Sequence, residues 1–223
     1  MARFGRSRRR FRGILGLGVV AIILAAIIGT VSGSAKSYSA PTRASLAGLS
    51  LRQRIVAIAN SQLGYATEPS NSYCNKFSAY WHAGRPGCPS GEASETWCAD
   101  FAAWAWRKAG VQFSYGFGPG EINAGAVSFY EWAVANGSWH PATSGYVAAP
   151  GDVAVYGLSL SPNPSAVHVA IVTRDRPGQR GPDVVNGDGD RTGFSIVETG
   201  TDQTRADVSR AAASALAGYV SAP

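Results

Sequence analysis

One cysteine lies where a nucleophile is expected. Cys98 falls in the first turn of a helix that the sequence predicts from about Thr96 to Ala109, with Thr96 as a candidate N-cap and Gly110 beyond the C-terminus. Unpaired N–H groups and the positive end of the helix dipole at such a position favour a thiolate, the reactive form of cysteine. The alternative is that Cys98 is a small buried hydrophobic residue, the usual fate of a free cysteine.

A cysteine nucleophile also needs an imidazole that accepts its proton and returns it to the leaving amine. Among the three histidines, His82 and His140 lie in stretches predicted to be loop or surface. His168 instead opens the apolar run HVAIVT directly after a long loop. It is therefore the candidate base, with an ordinary hydrogen-bonded strand histidine as the alternative.

A third polar residue is expected to orient the imidazole. Asn186 and Asp188, in the segment DVVNGD that starts at Asp183, are the candidates, because alternation along a strand would place both on one face. Asn186 would orient the ring through its carbonyl oxygen, whereas Asp188 would also stabilise an imidazolium. Asn-Gly and Asp-Gly pairs are also common in turns, so the segment is alternatively a simple turn.

The first 31 residues have the pattern of an export signal or a membrane anchor. Six arginines precede an uncharged apolar run from Ile14 to Val31. As a helix this run would reach ~27 Å, close to the ~30 Å of a hydrocarbon core, so it could span a membrane. Gly33 and Ala35 offer a cleavage site, and the run SRRRF resembles a twin-arginine signal. Both fates place the domain outside the cytoplasmic membrane, secreted or anchored.

The formal charge of +6 comes from this leader. The first 40 residues contain seven Lys/Arg and no Asp/Glu, whereas the rest contains 13 Lys/Arg and 14 Asp/Glu. The domain therefore has no basic excess, which argues against nucleic acid as a partner. Contact with a membrane is expected only through the N-terminal segment, and the sequence does not predict an oligomeric state.

The composition divides the rest of the chain. Residues 32–50 are rich in Ser, Ala, Gly and Thr and are predicted to be a flexible linker, which leaves 51–223 as the folded domain. Helical patterns come first in the domain: one from a Ser50/Gln53 capping box to Gly64, the helix of Cys98, and one over 126–135. Short β-type runs follow at 152–156, 167–173, 183–185 and 194–197 and near Tyr219. Helices followed by strands predict an α+β domain.

Two of the three cysteines are predicted to form a disulfide. Cys74 and Cys88 lie close together in a turn-rich stretch of the sequence. The oxidising compartment of an exported protein tends to pair such cysteines. Closing this short loop would contribute about 3 kcal/mol to the free energy of unfolding. Cys98 is then the free thiol.

Several aromatic residues are candidates to bind a substrate. Tyr73, Trp81 and Trp97 could line a groove for a glycan or a peptide, with core or loop packing as the alternative. The tryptophans on helical patterns are instead predicted to be core residues: Trp104, Trp106 and Trp132.

No metal and no cofactor is predicted. The segment from Asn186 to Asp190 alternates oxygen ligands as a calcium loop does, but such a loop needs Gly at its sixth position and Glu at its twelfth. This chain has Arg191 and Val197 there. No Cys/His cluster has the spacing of a zinc site.

Three motifs, taken in order, give the sequence a family resemblance. WCADFAAWAWRKAG starts at Trp97, PGDVAVYG at Pro150 and HVAIVT at His168, and a VVNGD segment follows. With the upstream IVAIANSQLGYATEP and the loop after it, they resemble a CHAP domain over roughly residues 52–221. The resemblance implies a papain-like fold, with N-terminal helices packed on a small antiparallel sheet. It also implies a cysteine amidase or endopeptidase that acts mainly on peptidoglycan, which would then be the partner.

By this resemblance Cys98 is the nucleophile and His168 is the base. At the third position the family often has an acidic residue, then Gly, then Asn, whereas this chain has Asn186, Gly187 and Asp188. The two residue types are exchanged, and we expect Asn186 rather than Asp188 to be the third residue.

Two other functions stay open. An NlpC-type peptidase has a related core, but its usual third residue is a further His, and none follows His168 in this chain. The alternative from another class is a catalytically silent wall-binding or structural module of the same fold. The presence of both Cys98 and His168 argues against that module.

Overall fold

The computed structural model describes residues 38–189, 195–206 and 214–223 of the chain. The predicted leader, residues 1–31, and part of the considered calcium loop, including Asp190 and Arg191, lie outside these ranges. Within them, no helix combines the length and the apolar character needed to cross a membrane.

In the described residues the chain forms four α-helices, and the first begins as predicted. Helix α1 is Leu51–Asn60, α2 is Lys76–Trp81, α3 is Cys98–Ala109 and α4 is Val127–Ala135. The capping box of α1 is present, since the Gln53 N–H donates to Ser50 Oγ at 3.2 Å and the Ser50 N–H donates to Gln53 Oε1 at 2.9 Å. This helix ends before the predicted Gly64, and the chain turns through residues 61–64 instead.

The strands of the same ranges form one large antiparallel sheet and one small one. The small sheet pairs β1 (Cys74–Asn75) with β2 (Ala93–Ser94). The large sheet has six strands in the order β3-β8-β4-β5-β6-β7. Its strands are β3 (Trp139–Pro141), β4 (Val153–Tyr156), β5 (His168–Arg174), β6 (Asp183–Gly189), β7 (Ile196–Gly200) and β8 (Leu216–Val220). All four helices precede the six-stranded antiparallel sheet along the chain, so the predicted α+β, papain-like fold is confirmed.

Helix α3 is the central element, because it packs against α1, α2, β5 and β6. Alternation along the strands turns Val169, Ile171 and Val185 toward the cluster that contains this helix, and Ala170 and Val184 toward a second cluster on the other face. The predicted core tryptophans, Trp104, Trp106 and Trp132, are buried in the first cluster, so that prediction is confirmed. The sheet and α1 thereby fix the position of the Cys98 end of α3.

Residues 38–50 are not the free linker that their composition predicts. The Tyr38 hydroxyl donates to the carbonyl oxygen of Gly64 at 2.7 Å, and its ring packs edge-on against Tyr65. Leu46 is buried in the core. A high content of small residues conceals these few apolar side chains, which are enough to hold the segment on the domain. The described part of the segment, from Tyr38 onward, therefore belongs to the compact domain rather than to a linker.

The predicted disulfide is present between Cys74 and Cys88, whose sequence separation is 14. Replacing both with serine should lower the free energy of unfolding by about 3 kcal/mol, because the unfolded chain gains the freedom of that loop. Urea unfolding of both proteins measures the difference. A reductant should destabilise the wild type by a similar amount and leave the double variant unchanged. A difference well below 1 kcal/mol would show that the bridge does not restrain the unfolded chain.

Candidate active site

Helix α3 begins at Cys98, and its N-terminus is capped from another element. The prediction of Thr96 as the N-cap is wrong, because Trp97 occupies the N-cap position. The Trp97 side chain makes no capping hydrogen bond. The Trp97 backbone N–H instead donates to Asp188 Oδ2 at 3.1 Å. A carboxylate from β6 thus satisfies a helix-terminal N–H and complements the helix dipole.

Trp97 is a core residue rather than a groove residue. Its side chain is 0% exposed, its ring stacks on Phe77 at 5.2 Å, and its Nε1–H donates to Ser195 Oγ at 2.7 Å. The Ser195 hydroxyl in turn donates to Asp188 Oδ1. The prediction that Trp97 lines a substrate groove is therefore wrong, because the aromatic core encloses the indole and the buried Ser195 hydroxyl accepts its hydrogen bond. This network fixes the backbone immediately before Cys98.

The thiol of Cys98 is neutral over the whole physiological pH range. Burial, and after it the nearby Asp188 carboxylate, raise its pKa to about 12, although the Val169 N–H lowers it by donating to the sulfur. The Ala99 N–H at the helix start also lowers the pKa. The helix start thus acts in the predicted direction, toward the thiolate, but desolvation outweighs it and the net pKa is raised. Nucleophilic attack from this cysteine requires a base.

His168 and Asn186 are hydrogen-bonded to each other on neighbouring strands. The distance from His168 Nε2 to Asn186 Oδ1 is 2.9 Å, and both side chains are buried. Because Asn186 Oδ1 is an acceptor, Nε2 carries the proton and Nδ1 carries the lone pair. His168 directly precedes Val169, whose N–H donates to the Cys98 sulfur. The structure thereby brings Cys98, His168 and Asn186 into one site.

Asp188 has a different set of partners from Asn186. The pairing of β6 with β7 shifts register between Asn186 and Gly189, and Asp188 has a φ of +57°. This irregularity breaks the strict alternation that was expected, and the carboxylate accepts from Trp97 and Ser195. A Cβ on Gly187 would lie 2.5 Å from Phe101, so glycine is required where β6 approaches α3. The segment is a strand and not the simple turn considered as the alternative.

Two buried polar residues of the site were missed by the sequence analysis. Ser195 bonds both Trp97 and Asp188, and Gln203 bonds Asn186 through both ends of its side-chain amide. Both lie C-terminal to the motifs that were recognised, one just before β7 and one in the turn after it. No spacing rule links them to Cys98, so the sequence carries no signal for them.

Of the other predicted groove residues, Trp81 lines a pocket. Its ring stacks on Tyr115 with centroids 4.1 Å apart, and its Nε1–H donates to the Asp100 carbonyl oxygen at 3.1 Å. The pocket has a volume of ≈ 520 Å³, and Arg107 and Glu121 also line it. Tyr73 is partly buried and packs against the main core.

Two neighbouring acidic residues, Glu95 and Asp100, lie behind this pocket, and Asp100 contacts its wall at Tyr115. Asp100 is buried and accepts a hydrogen bond from the Tyr115 hydroxyl. Burial, and then the neighbouring Asp100, raise the pKa of Glu95 to about 7. Near pH 7 the Glu95 carboxyl is therefore only partly ionised, which reduces its repulsion with the neighbouring Asp100.

No group of His, Cys, Asp and Glu side chains in the described ranges is arranged to hold a metal ion. The chemistry that these residues offer is that of a thiol, an imidazole and an amide.

Replacing Asp188 with asparagine should lower the pKa of the Cys98 thiol, because it removes a negative charge that raises it. Asparagine keeps an oxygen that can accept from the Trp97 N–H. The rate of alkylation by iodoacetamide at a fixed pH near 8 should therefore rise, and the whole pH profile should move to lower pH. Alkylation in urea, where Cys98 is exposed in both the wild type and the variant, is the control. Identical profiles for the folded proteins would show that the charge does not act on the thiol.

Comparison with known proteins identifies a family for the centre of the chain. Residues 90–185 match the family model described as the CHAP domain. The matched span includes Cys98 and His168 and ends one residue before Asn186. No curated protein and no solved structure matches the chain.

Proposed function

Residues 90–185 of the chain match the CHAP-domain family, and we propose that the protein hydrolyses an amide bond of bacterial peptidoglycan. CHAP domains are cysteine- and histidine-dependent amidohydrolases or peptidases, and this coarser class follows from the family match. The proposal adds the substrate and three roles. Cys98 is the nucleophile, His168 is the general base and acid, and Asn186 orients the imidazole.

The observation that carries the proposal is the hydrogen bond between His168 Nε2 and Asn186 Oδ1. It assigns the lone pair of the imidazole to Nδ1. A base in this tautomer can accept the thiol proton of Cys98, which the burial of the sulfur keeps in place until attack. The site thus matches a neutral thiol and a neutral base rather than a preformed ion pair.

The first step of the proposed reaction forms a thioester. The Cys98 sulfur attacks the carbonyl carbon of the amide while its proton moves to Nδ1 of His168. The electron pair of the C=O bond moves to oxygen and then returns as the C–N bond breaks. The leaving nitrogen takes the proton from His168, so a free amine departs and the acyl group stays on sulfur.

The second step releases the acyl group. A water molecule gives its proton to His168 and attacks the thioester, and the departing sulfur recovers that proton, so a carboxylic acid and the thiol of Cys98 result. The oxyanion in both steps is stabilised by backbone N–H groups in the first turn of α3, including that of Cys98 itself.

The pocket beside Trp81 supports a substrate made of sugars and short peptides. Stacked aromatic rings present flat apolar faces, while Arg107 and Glu121 add charges of both signs. Peptidoglycan stem peptides carry carboxylates and amines that these charges complement. An amidase that separates glycan from peptide and an endopeptidase within the peptide would use the same three residues, so both belong to the proposal.

We also propose that the domain acts outside the cytoplasmic membrane, secreted or anchored to its outer face. The basic and apolar pattern of residues 1–31 supports export. The Cys74–Cys88 disulfide supports an oxidising compartment, because such bonds are rare in the cytosol.

One observation favours the catalytically silent module as the second candidate. The thiol of Cys98 is buried, with a pKa near 12, whereas many cysteine nucleophiles are partly exposed and have a depressed pKa. A silent module would bind peptidoglycan without releasing fragments.

Digestion of purified peptidoglycan tests the proposal. The compact domain from residue 38 to 223, wild type and Cys98→Ala, is incubated with sacculi in mild reductant, and released fragments are identified by mass spectrometry. Fragments that require Cys98 would establish the hydrolase, and their masses would identify the bond. A folded wild type that sediments with the sacculi but releases nothing would favour the silent module.

A further inference from the structure

The amide of Asn186 has two possible orientations, and they have opposite consequences for His168. With Oδ1 toward Nε2, the imidazole keeps its proton on Nε2 and its lone pair on Nδ1. With the NH₂ group toward Nε2, that group would donate to the ring, and the proton would move to Nδ1. The second tautomer cannot accept a proton from the thiol at Nδ1. A residue that fixes the orientation of Asn186 therefore controls whether the base is competent.

Gln203 pairs with both ends of this amide. Asn186 Nδ2 donates to Gln203 Oε1 at 3.0 Å, and Gln203 Nε2 donates to Asn186 Oδ1 at 3.1 Å. If Asn186 alone turned over, its NH₂ group would face the NH₂ group of Gln203 and its oxygen would face the other oxygen. Both side chains are buried, so two such mismatched contacts would have no compensating water.

Gln203 is itself held in place by its backbone. Its N–H donates to the Pro182 carbonyl oxygen at 2.9 Å, and its own carbonyl oxygen accepts from the Tyr156 hydroxyl at 3.3 Å. A Cβ on residue 200 would lie 1.8 Å from Gln203 Oε1, so only Gly200 leaves room for the amide in this position. The turn after β7 is thereby attached both to the start of β6 and to β4.

We propose that Gln203 is a positioning residue of the site, which holds the amide of Asn186 in the orientation that keeps His168 competent as a base. Gln203 acts only through Asn186 and makes no contact with substrate. The inference rests on the proposed roles of Cys98, His168 and Asn186. It extends the site to a turn that lies outside residues 90–185, the span of the family match.

The decisive variant is Gln203→Met in the full-length protein, because methionine fills a similar volume without a hydrogen-bonding amide. It should lower kcat by about 10-fold to 100-fold, the usual effect of removing an outer hydrogen-bond partner of a functional residue. In an Asn186→Ala background the same change should have little further effect, since the residue through which Gln203 acts is already gone. Equal losses of kcat in both backgrounds would overturn the proposal.

A second measurement needs no substrate and therefore separates this inference from the proposed function. Nitrogen-15 NMR of the histidine rings should show His168 protonated on Nε2 in the wild type and a mixture of tautomers in Gln203→Met. His82 and His140 in the same spectra are the controls. A tautomer unchanged by Gln203→Met would overturn the positioning role. A wild type with the expected tautomer but no hydrolysis of peptidoglycan would instead contradict the proposed function alone.

Discussion

Replacing Cys98 with alanine should lower kcat/KM for a cleaved peptidoglycan fragment by about 10⁴-fold or more, and His168→Ala should have a comparable effect. A nucleophile and its base act as one unit, because neither can form the thioester without the other. The double variant should therefore be no slower than either single variant. Steady-state rates of the three proteins and the wild type, with release followed by mass spectrometry, measure this non-additivity.

The structure supplies a matched control for the histidine. His140 lies on β3, which is separated from β5 by β8 and β4, and its ring stacks on Tyr146 at 3.8 Å. Alanine at this position should leave kcat/KM within about twofold of the wild type. Losses that multiply in the Cys98/His168 double variant would show that the two residues contribute independently, which the proposed mechanism does not allow.

Local pattern was enough to predict the elements that carry Cys98 and His168. The helix of Cys98 has an apolar run bounded by Gly110, and the strand of His168 is an apolar run after a long loop, so short stretches of sequence determine both. The disulfide was also predictable, since Cys74 and Cys88 are close along the chain. These features depend on neighbours within about 15 residues, which is the range over which sequence patterns report structure.

What could not be predicted depends on contacts between distant residues. The N-cap role of Asp188, the burial of Trp97 and the pairing of Gln203 with Asn186 each join residues that local periodicity does not relate. The raised pKa of Cys98 could not be predicted for the same reason. A helix N-terminus can be recognised locally, whereas the desolvation that outweighs it comes from the sheet packed on the thiol. Because of the register shift in β6, the side chains of Asn186 and Asp188 have different partners, whereas a regular strand would place both on one face.

Asp152 should be the most costly polar residue to remove for the stability of the fold. Its side chain is fully buried and accepts hydrogen bonds from four donors. Two are side chains, Arg52 of α1 and Tyr146, and two are the backbone N–H groups of Ala149 and Ala222, at 2.8 and 2.9 Å. One carboxylate thereby joins the first helix, the loop before β4 and the C-terminal segment. This contact gives the Pro-Gly-Asp motif a structural role that its sequence does not reveal.

Asp152→Ala should lower the free energy of unfolding by about 3–5 kcal/mol, because it leaves a partly buried guanidinium and three other donors without their acceptor. Urea unfolding measures the loss. The matched control is Arg180→Ala, which breaks an ion pair whose arginine is 84% exposed and should cost less than about 1 kcal/mol. Asp152 precedes β4, whereas Tyr156 at the other end of that strand pairs with His168. Below its unfolding temperature the variant should therefore keep the wild-type kcat, and a low kcat in the folded protein would show that Asp152 also positions the site.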